Sequence, residues 1–314
     1  MTILVTGAAG LLGSELTRQL LDQGEIVIGL DNYYTGSKSN IDQFFGRNGF
    51  YFLQRDVKDS TEYPRPMGLL NPLKQIYNLA CPASPVHYQT DPWHTLMTNI
   101  DGVRNMLSLS VQTGSRMLQA STSEVYGDPL VTPQKEEYWG NVNALGPRAC
   151  YDEGKRVAET MCTISSANTV IARIFNTYGP HMALNDGRAI SNFILQALEN
   201  KPITVHGDGL QTRSFCYVSD TVSGLIKLMN SDSKGPINIG NTEEVTLLQL
   251  AQEVIELADS KSEIIHTDSA VDDPHQRCPD IYQAITKLSW LPNIDRKTGL
   301  KYTIDYVRTQ LCEQ

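Results

Sequence analysis

The segment Thr6-Gly7-Ala8-Ala9-Gly10-Leu11-Leu12-Gly13 constrains the fold more than any other, because it joins two different patterns with no loop between them. Before it, Thr2-Ile3-Leu4-Val5-Thr6 is a β-rich apolar run; after it, residues 11–22 carry apolar side chains at helical period. A chain passing from strand to helix this abruptly must turn sharply, and Gly7 supplies the backbone freedom. Gly10 lets the backbone approach a bound group, and Gly13 lets the helix lie close to the strand. Leu11 and Leu12 open the helix, whose N-terminus offers unpaired N–H groups and partial positive charge to an anion such as a diphosphate.

The alternation continues downstream. β-rich runs at 2–6, 26–30, 49–54, 75–80, 116–120 and 170–175 are separated by helix-period stretches, the clearest at 11–22, 92–112 and 148–165. Such a succession predicts an α/β chain with a doubly wound, Rossmann-like parallel sheet and helices on both faces. After Phe175 the rhythm breaks, with Tyr178-Gly179-Pro180, Asn185-Asp186-Gly187 and Gly207-Asp208-Gly209 between shorter elements. A smaller C-terminal α/β region is therefore expected over the strand ends. Residues 1–175, rejoined by about 211–241, should bind the nucleotide cofactor, with 176–210 and 242–314 forming the substrate-binding region. The 314 residues contain no internal repeat or flexible linker, so both parts should pack as one body.

Charge and special residues exclude several classes. With 26 Lys and Arg against 35 Asp and Glu, the formal charge is −9, leaving no broad basic surface for nucleic acid. The six cysteines form no CxxC and read as free thiols in a reducing compartment, and the six histidines have no HxxxH or HExxH spacing, so no metal site is expected. Met1 leads directly into the first strand pattern, and no apolar run is long enough to span a bilayer. The expectation is a soluble cytoplasmic chain with no membrane partner.

The second strand run ends at Asp31, where an acidic side chain in such a fold grips a ribose 2′-hydroxyl and repels a 2′-phosphate. Asn32 follows in place of an arginine, so NAD is expected rather than NADP. Asp56-Val57, after the third run, reads equally as an adenine contact or as a plain turn.

Two Tyr-x-x-x-Lys pairs are present. Tyr34 and Lys38 are separated by the turn Thr35-Gly36-Ser37, where four-residue spacing does not bring side chains together. Tyr151 and Lys155 lie in a helix-period stretch, which puts both on one face. An ammonium beside a phenol favours phenolate, so the tyrosine pKa is expected to fall from its usual value of about 10 toward the range of a working base. Thr122, in Ser121-Thr122-Ser123-Glu124-Val125-Tyr126-Gly127 at the end of the fifth run, can hydrogen-bond the reacting oxygen from the opposite side.

More specific stretches accompany these elements: Asn78-Leu79-Ala80 with Pro82-Ala83-Ser84-Pro85, residues 121–129, 146–159, 173–180 and 211–220, Asp186-Gly187-Arg188, Asp272-Asp273-Pro274, Arg277 and Pro279-Asp280-Ile281. In these, and in the GxxGxxG spacing of short-chain dehydrogenases, the chain resembles the UDP-glucuronate decarboxylases nearly end to end. The resemblance implies UDP-glucuronate as substrate and UDP-xylose as product: the C4 hydroxyl is oxidised, the resulting β-keto acid loses CO₂, and the ketone is reduced again, with NAD retained. It implies Tyr151, Lys155, Thr122, Ser123, Glu124 and Arg277 at the chemistry, with Leu79, Ala80, Thr98, Ala120 and Thr177 against the cofactor. Pro85, Asn176 and Arg213 would contact the substrate, Arg213 as a diphosphate clamp, and Arg188 is assigned to either bound diphosphate. Sugar-nucleotide 4,6-dehydratases carry Asp-Glu where this chain has Ser123-Glu124, which argues for decarboxylation. Arg277 keeps two readings, a grip on the carboxylate and C4–C5 region or a diphosphate contact. The resemblance also implies a homodimer, with helices 92–112 and 148–165 paired across a two-fold axis.

The chain departs from the family at two places. Met97 stands where members usually have a substrate-binding lysine, and residues 163–169 are shorter than usual. Beside decarboxylation stand a UDP-sugar 4-epimerase or a decarboxylase releasing the 4-keto sugar, and, from another class, a non-catalytic NAD-binding regulator.

Overall fold

The computed structural model describes residues 1–59, 71–184, 187–268 and 276–312. Asn185, Asp186 and Asp272-Asp273-Pro274 from the sequence reading lie outside the described residues.

Seven strands form one sheet: β1 (Thr2–Thr6), β2 (Ile26–Asp31), β3 (Phe50–Gln54), β4 (Leu73–Asn78), β5 (Arg116–Thr122), β6 (Thr169–Ile174) and β7 (Pro236–Ile239). Their order is β7-β6-β5-β4-β1-β2-β3 and every pairing is parallel. Seven helices matter below: α1 (Leu11–Asp22), α2 (Val103–Thr113), α3 (Ala149–Ile164), α4 (Ala189–Leu198), α5 (Val218–Met229), α6 (Leu247–Ala258) and α7 (Arg296–Cys312). A parallel sheet needs both faces covered, which is why all five residues of β1 are buried. Ile3 and Val5 point into a core with Leu16 and Leu20 of α1 and Val222 and Leu225 of α5. Leu4, alternating to the opposite face, meets Met106 and Leu107 of α2 and Ala158 and Cys162 of α3.

A second apolar core lies beyond the sheet, where Phe193 and Ile194 of α4, Leu250 and Val254 of α6 and Leu300 and Ile304 of α7 close around Ile203 and Val205. Next to it, the strand Thr212–Ser214 pairs with Glu244–Thr246 on one side and with Gln276–Arg277 on the other, setting Arg213 opposite Arg277. Leu11 and Tyr217 pack against both cores, joining the two parts.

Among the boundaries that differ from expectation, three have clear local reasons. β4 stops at Asn78 because the Leu79 and Ala80 N–H groups donate to Thr6 Oγ1, at 3.1 and 3.2 Å, rather than to a strand partner. β5 runs on to Thr122 because Ser121 and Thr122 still pair with Arg173 and Ile174. The stretch at 92–112 is not one α-helix: Pro92–Met97 widens through a π-helical turn, Thr98–Gly102, before α2. Among the described residues no helix is long and apolar enough to cross a membrane.

Candidate active site

Strand order reverses between β1 and β4, and the crevice at such a reversal, at the carboxyl ends of the strands, is where ligands bind in doubly wound sheets. A cavity of about 900 Å³ opens there, from the glycine turn past Thr122 and Tyr151 to Arg213. A smaller one, about 90 Å³, adjoins it at the end of β2.

The glycine turn is built as its sequence demands. Gly7 sits at φ +71°, and a Cβ on Gly13 would lie 2.0 Å from the Gly7 carbonyl oxygen, so only glycine lets α1 approach this closely. No side chain caps α1 and no acidic residue stands in its first turn, while Gly10, Leu11, Leu12 and Gly13 line the large cavity. The N–H groups of Leu11, Leu12 and Gly13, in the first turn of α1, form a ready seat for a diphosphate. The Asp31 carboxylate is buried in the wall of the small cavity and accepts from Ala9 N at 2.9 Å and Tyr33 N at 2.7 Å. Burial raises its pKa above the ordinary carboxylate value. Its remaining lone pairs suit ribose hydroxyls and would repel a phosphate, so this end fits a dinucleotide of the NAD type. Asn32, Asp56, Val57, Leu79, Ala80 and Thr98 line the same small cavity. Asp56 also accepts from the Asn32 side chain at 2.9 Å, bracing it.

At the other end, α3 presents Tyr151 and Lys155 from one face into the large cavity, both nearly fully buried at 6% and 3% exposure. Lys155 Nζ lies 5.7 Å from the Tyr151 ring centroid, and it donates to the Ala120 carbonyl at 2.9 Å. The protein groups around the phenol act against the expected fall of the tyrosine pKa. Burial pushes the phenol up, neighbouring Cys81 adds to this, and the Thr122 hydroxyl opposes it too weakly to win. Desolvation outweighs the lysine because the ammonium is directed to a backbone carbonyl rather than to the phenol. The other pair stays apart: Lys38 bridges to Asp42 at 3.1 Å, and Tyr34 stacks on His94.

Between the two ends sits a charged cage. The short helix Ser123–Tyr126 points Glu124 between two arginines, Arg277 and Arg148, each bonded to one carboxylate oxygen. Arg277 is 2% exposed; its Nη2 donates to Gly127 O at 2.9 Å and its Nη1 lies 3.4 Å from Ser123 Oγ. The remaining expected contacts also line the large cavity: Leu79, Pro85, Ala120, Asn176, Thr177, Arg188 and Arg213. Asn176 Nδ2 donates to Ser214 O at 3.4 Å, and Thr177 Oγ1 donates to Phe175 O at 3.0 Å. Met97 is half-buried and lines neither cavity.

Among the lining residues that escaped the sequence reading are Arg148 and Tyr88. Arg148 precedes Tyr151 by three positions, so helical period alone puts it on the catalytic face. Tyr88 comes from a separate short helix, Pro85–Thr90, and its ring stacks on Tyr151 at 5.1 Å and 6°, a contact no local spacing announces.

Solved structures with this architecture include a UDP-glucose 4-epimerase with UDP-glucose from Thermotoga maritima, 26% identical, with TM-score 0.90 over 99% of this chain and 100% of that one. A Bacillus cereus UDP-glucuronic acid 4-epimerase in complex with UDP-glucuronic acid and NAD is 27% identical, with TM-score 0.87 over 99% and 100%. Among curated proteins, UDP-glucuronic acid decarboxylase 1 of Arabidopsis thaliana is 48% identical over all of this chain and 71% of its own length. UDP-glucuronic acid decarboxylase 1 of Xenopus tropicalis is 49% identical over 99% of this chain and 73% of its own length. Residues 3–240 match the model of the NAD dependent epimerase/dehydratase family. The chain therefore belongs to the NAD dependent epimerase/dehydratase family and groups within it with the UDP-glucuronic acid decarboxylases.

Proposed function

We propose that this chain decarboxylates UDP-glucuronate to UDP-xylose with NAD as a retained cofactor. The observation that carries the reading is Glu124 held between Arg277 and Arg148 in the same cavity as Thr122 and Tyr151. In this reading residues 1–175 with about 211–241 hold NAD, and 176–210 with 242–314 hold the nucleotide sugar. The glycine turn and α1 take the cofactor diphosphate, Asp31 takes a ribose, and Asp56 and Val57 border the adenine. When bound, NAD supplies oxidation of the C4 hydroxyl to a ketone and its later re-reduction, ending as it began.

The chain's own residues do the rest. Tyr151 accepts the C4 hydroxyl proton and later returns it, and Lys155 supplies positive charge beside the ring. Thr122 bonds the same oxygen and holds it in line with the phenol. Loss of CO₂ breaks the C5–C6 bond and leaves its electron pair as an enolate across C5, C4 and the C4 oxygen. Tyr151, protonated once it has taken the C4 proton, then donates a hydrogen bond to that oxyanion. A proton from water on C5 restores the ketone before reduction. Arg277, its two Nη atoms on Glu124 and the Gly127 carbonyl, sets a fixed positive charge beside Ser123 at the C5–C6 end, and this location supports the carboxylate reading over a diphosphate contact. Incubation of the purified chain with UDP-glucuronate and NAD should release CO₂ and yield UDP-xylose by mass spectrometry. Conversion to UDP-galacturonate without CO₂ would replace this reading with the 4-epimerase one, and stoichiometric accumulation of NADH would mean release of the 4-keto sugar.

Cofactor choice gives a second expected outcome. NAD should support turnover and NADP should not, because a 2′-phosphate would meet the Asp31 carboxylate; Asp31→Ser should narrow the difference at least about tenfold. Equal use of both cofactors by the unaltered chain would remove Asp31 from the ribose.

The homodimer is proposed on the outer faces of α2 and α3, where Val111, Val157 and Ile164 are exposed. Light scattering at micromolar concentration should return twice the 34.9 kDa chain mass, and a monodisperse monomer would refute it.

A further inference from the structure

Arg277 reaches the cavity from a strand of only two residues, Gln276–Arg277, so something must fix its backbone against Glu124. Upstream, this strand pairs with Thr212–Ser214, and Ser214 Oγ donates weakly to Arg277 O at 3.4 Å. Downstream, one residue does most of the holding, through its side chain and its backbone. Gln134, 0% exposed, accepts the Cys278 N–H on its Oε1 at 2.9 Å. Its own N–H donates to Cys278 O at 2.8 Å, and its carbonyl accepts Asp280 N at 2.8 Å. The side-chain nitrogen donates to Val131 O at 2.8 Å and Thr132 Oγ1 at 3.0 Å, which leaves the amide one orientation only. Behind it, Asn238 of β7 donates to Gln134 O at 2.9 Å and to Asp280 O at 3.0 Å, tying the clasp to the central sheet.

The segment that carries Gln134 is the one that carries Glu124. Leaving β5, the chain places Glu124 and the Gly127 carbonyl on the Arg277 guanidinium, then returns to grip the next residue, Cys278, through Gln134. Guanidinium and backbone of one arm are thus held by one loop, and the cage geometry depends on both grips. We propose that Gln134 is a positioning residue for decarboxylation, setting the Arg277 guanidinium against Glu124 through the Cys278 N–H without touching substrate. The proposal rests on the decarboxylase reading of the cage.

Gln134→Met keeps the volume and apolar stem but removes the acceptor for Cys278 N–H. An arm free to shift by a fraction of an ångström should lower kcat for CO₂ release about ten- to a hundredfold, with KM for UDP-glucuronate within about threefold. The decisive readout is a double-mutant cycle. In the Arg277→Lys background, Gln134→Met should lower kcat by less than about twofold further, because the group it positions is already gone. Gln134→Asn, which retracts the acceptor by one methylene at little cost to packing, carries the same cycle if the methionine variant does not fold. A residue serving the fold alone would lower the melting temperature while its kcat loss multiplied with that of Arg277→Lys; that result, or an unchanged kcat, would overturn the proposal. Absence of CO₂ release by the unaltered chain would overturn the decarboxylase reading itself, and this role with it.

Discussion

Tyr151→Phe is expected to lower turnover by about 10²–10⁴-fold while NAD still binds with an affinity within about twofold of the unaltered chain. The phenylalanine ring keeps the stack on Tyr88 at 5.1 Å and the packing of a residue only 6% exposed. What disappears is one hydroxyl, the group that takes the C4 proton and returns it. No nearby group takes over, because Lys155 Nζ is committed to the Ala120 carbonyl. The upward push of burial on the phenol adds a consequence for the loaded chain. The positive charge of bound NAD opposes that push, so the pH dependence of turnover should show the Tyr151 ionisation at lower pH than burial alone would set it. Calorimetry with NAD and a CO₂ assay separate binding from chemistry. Activity within a few-fold of the unaltered chain would take Tyr151 out of the mechanism.

The second large effect is expected at the cage. Glu124→Gln keeps shape and hydrogen-bonding capacity but removes the charge that faces both Arg277 and Arg148. Arg277→Lys keeps the charge but loses the fork, since a single ammonium cannot serve Glu124 and the Gly127 carbonyl from the positions of Nη1 and Nη2. Each change should lower kcat for CO₂ release by about 10²–10³-fold, with only a few-fold change in KM, as for interactions made chiefly in the transition state. A diphosphate contact would behave in the opposite way: Arg277→Lys would weaken the binding of UDP alone, seen by calorimetry, and leave kcat nearly intact. CO₂ release at the unaltered rate in Glu124→Gln would end the assignment of that residue and favour the epimerase reading.

What the sequence by itself determined were the features encoded within a few residues. The glycine turn, the strand and helix of β1 and α1, and the Tyr151–Lys155 face each follow from steric need or helical period, which act at short range. The doubly wound parallel sheet was legible too, because strand–helix alternation admits few packings. Tertiary structure alone decided what depends on segments distant along the chain. β4 ends where Thr6 captures two N–H groups, Tyr88 meets Tyr151 from a separate helix, and Gln134 clasps Cys278. The sign of the Tyr151 shift belongs here as well: the Tyr-x-x-x-Lys spacing announces a cation near the phenol but not how far the phenol is withdrawn from water. Desolvation is summed over every surrounding atom, most of them contributed by residues far away in sequence, so no local spacing can carry it.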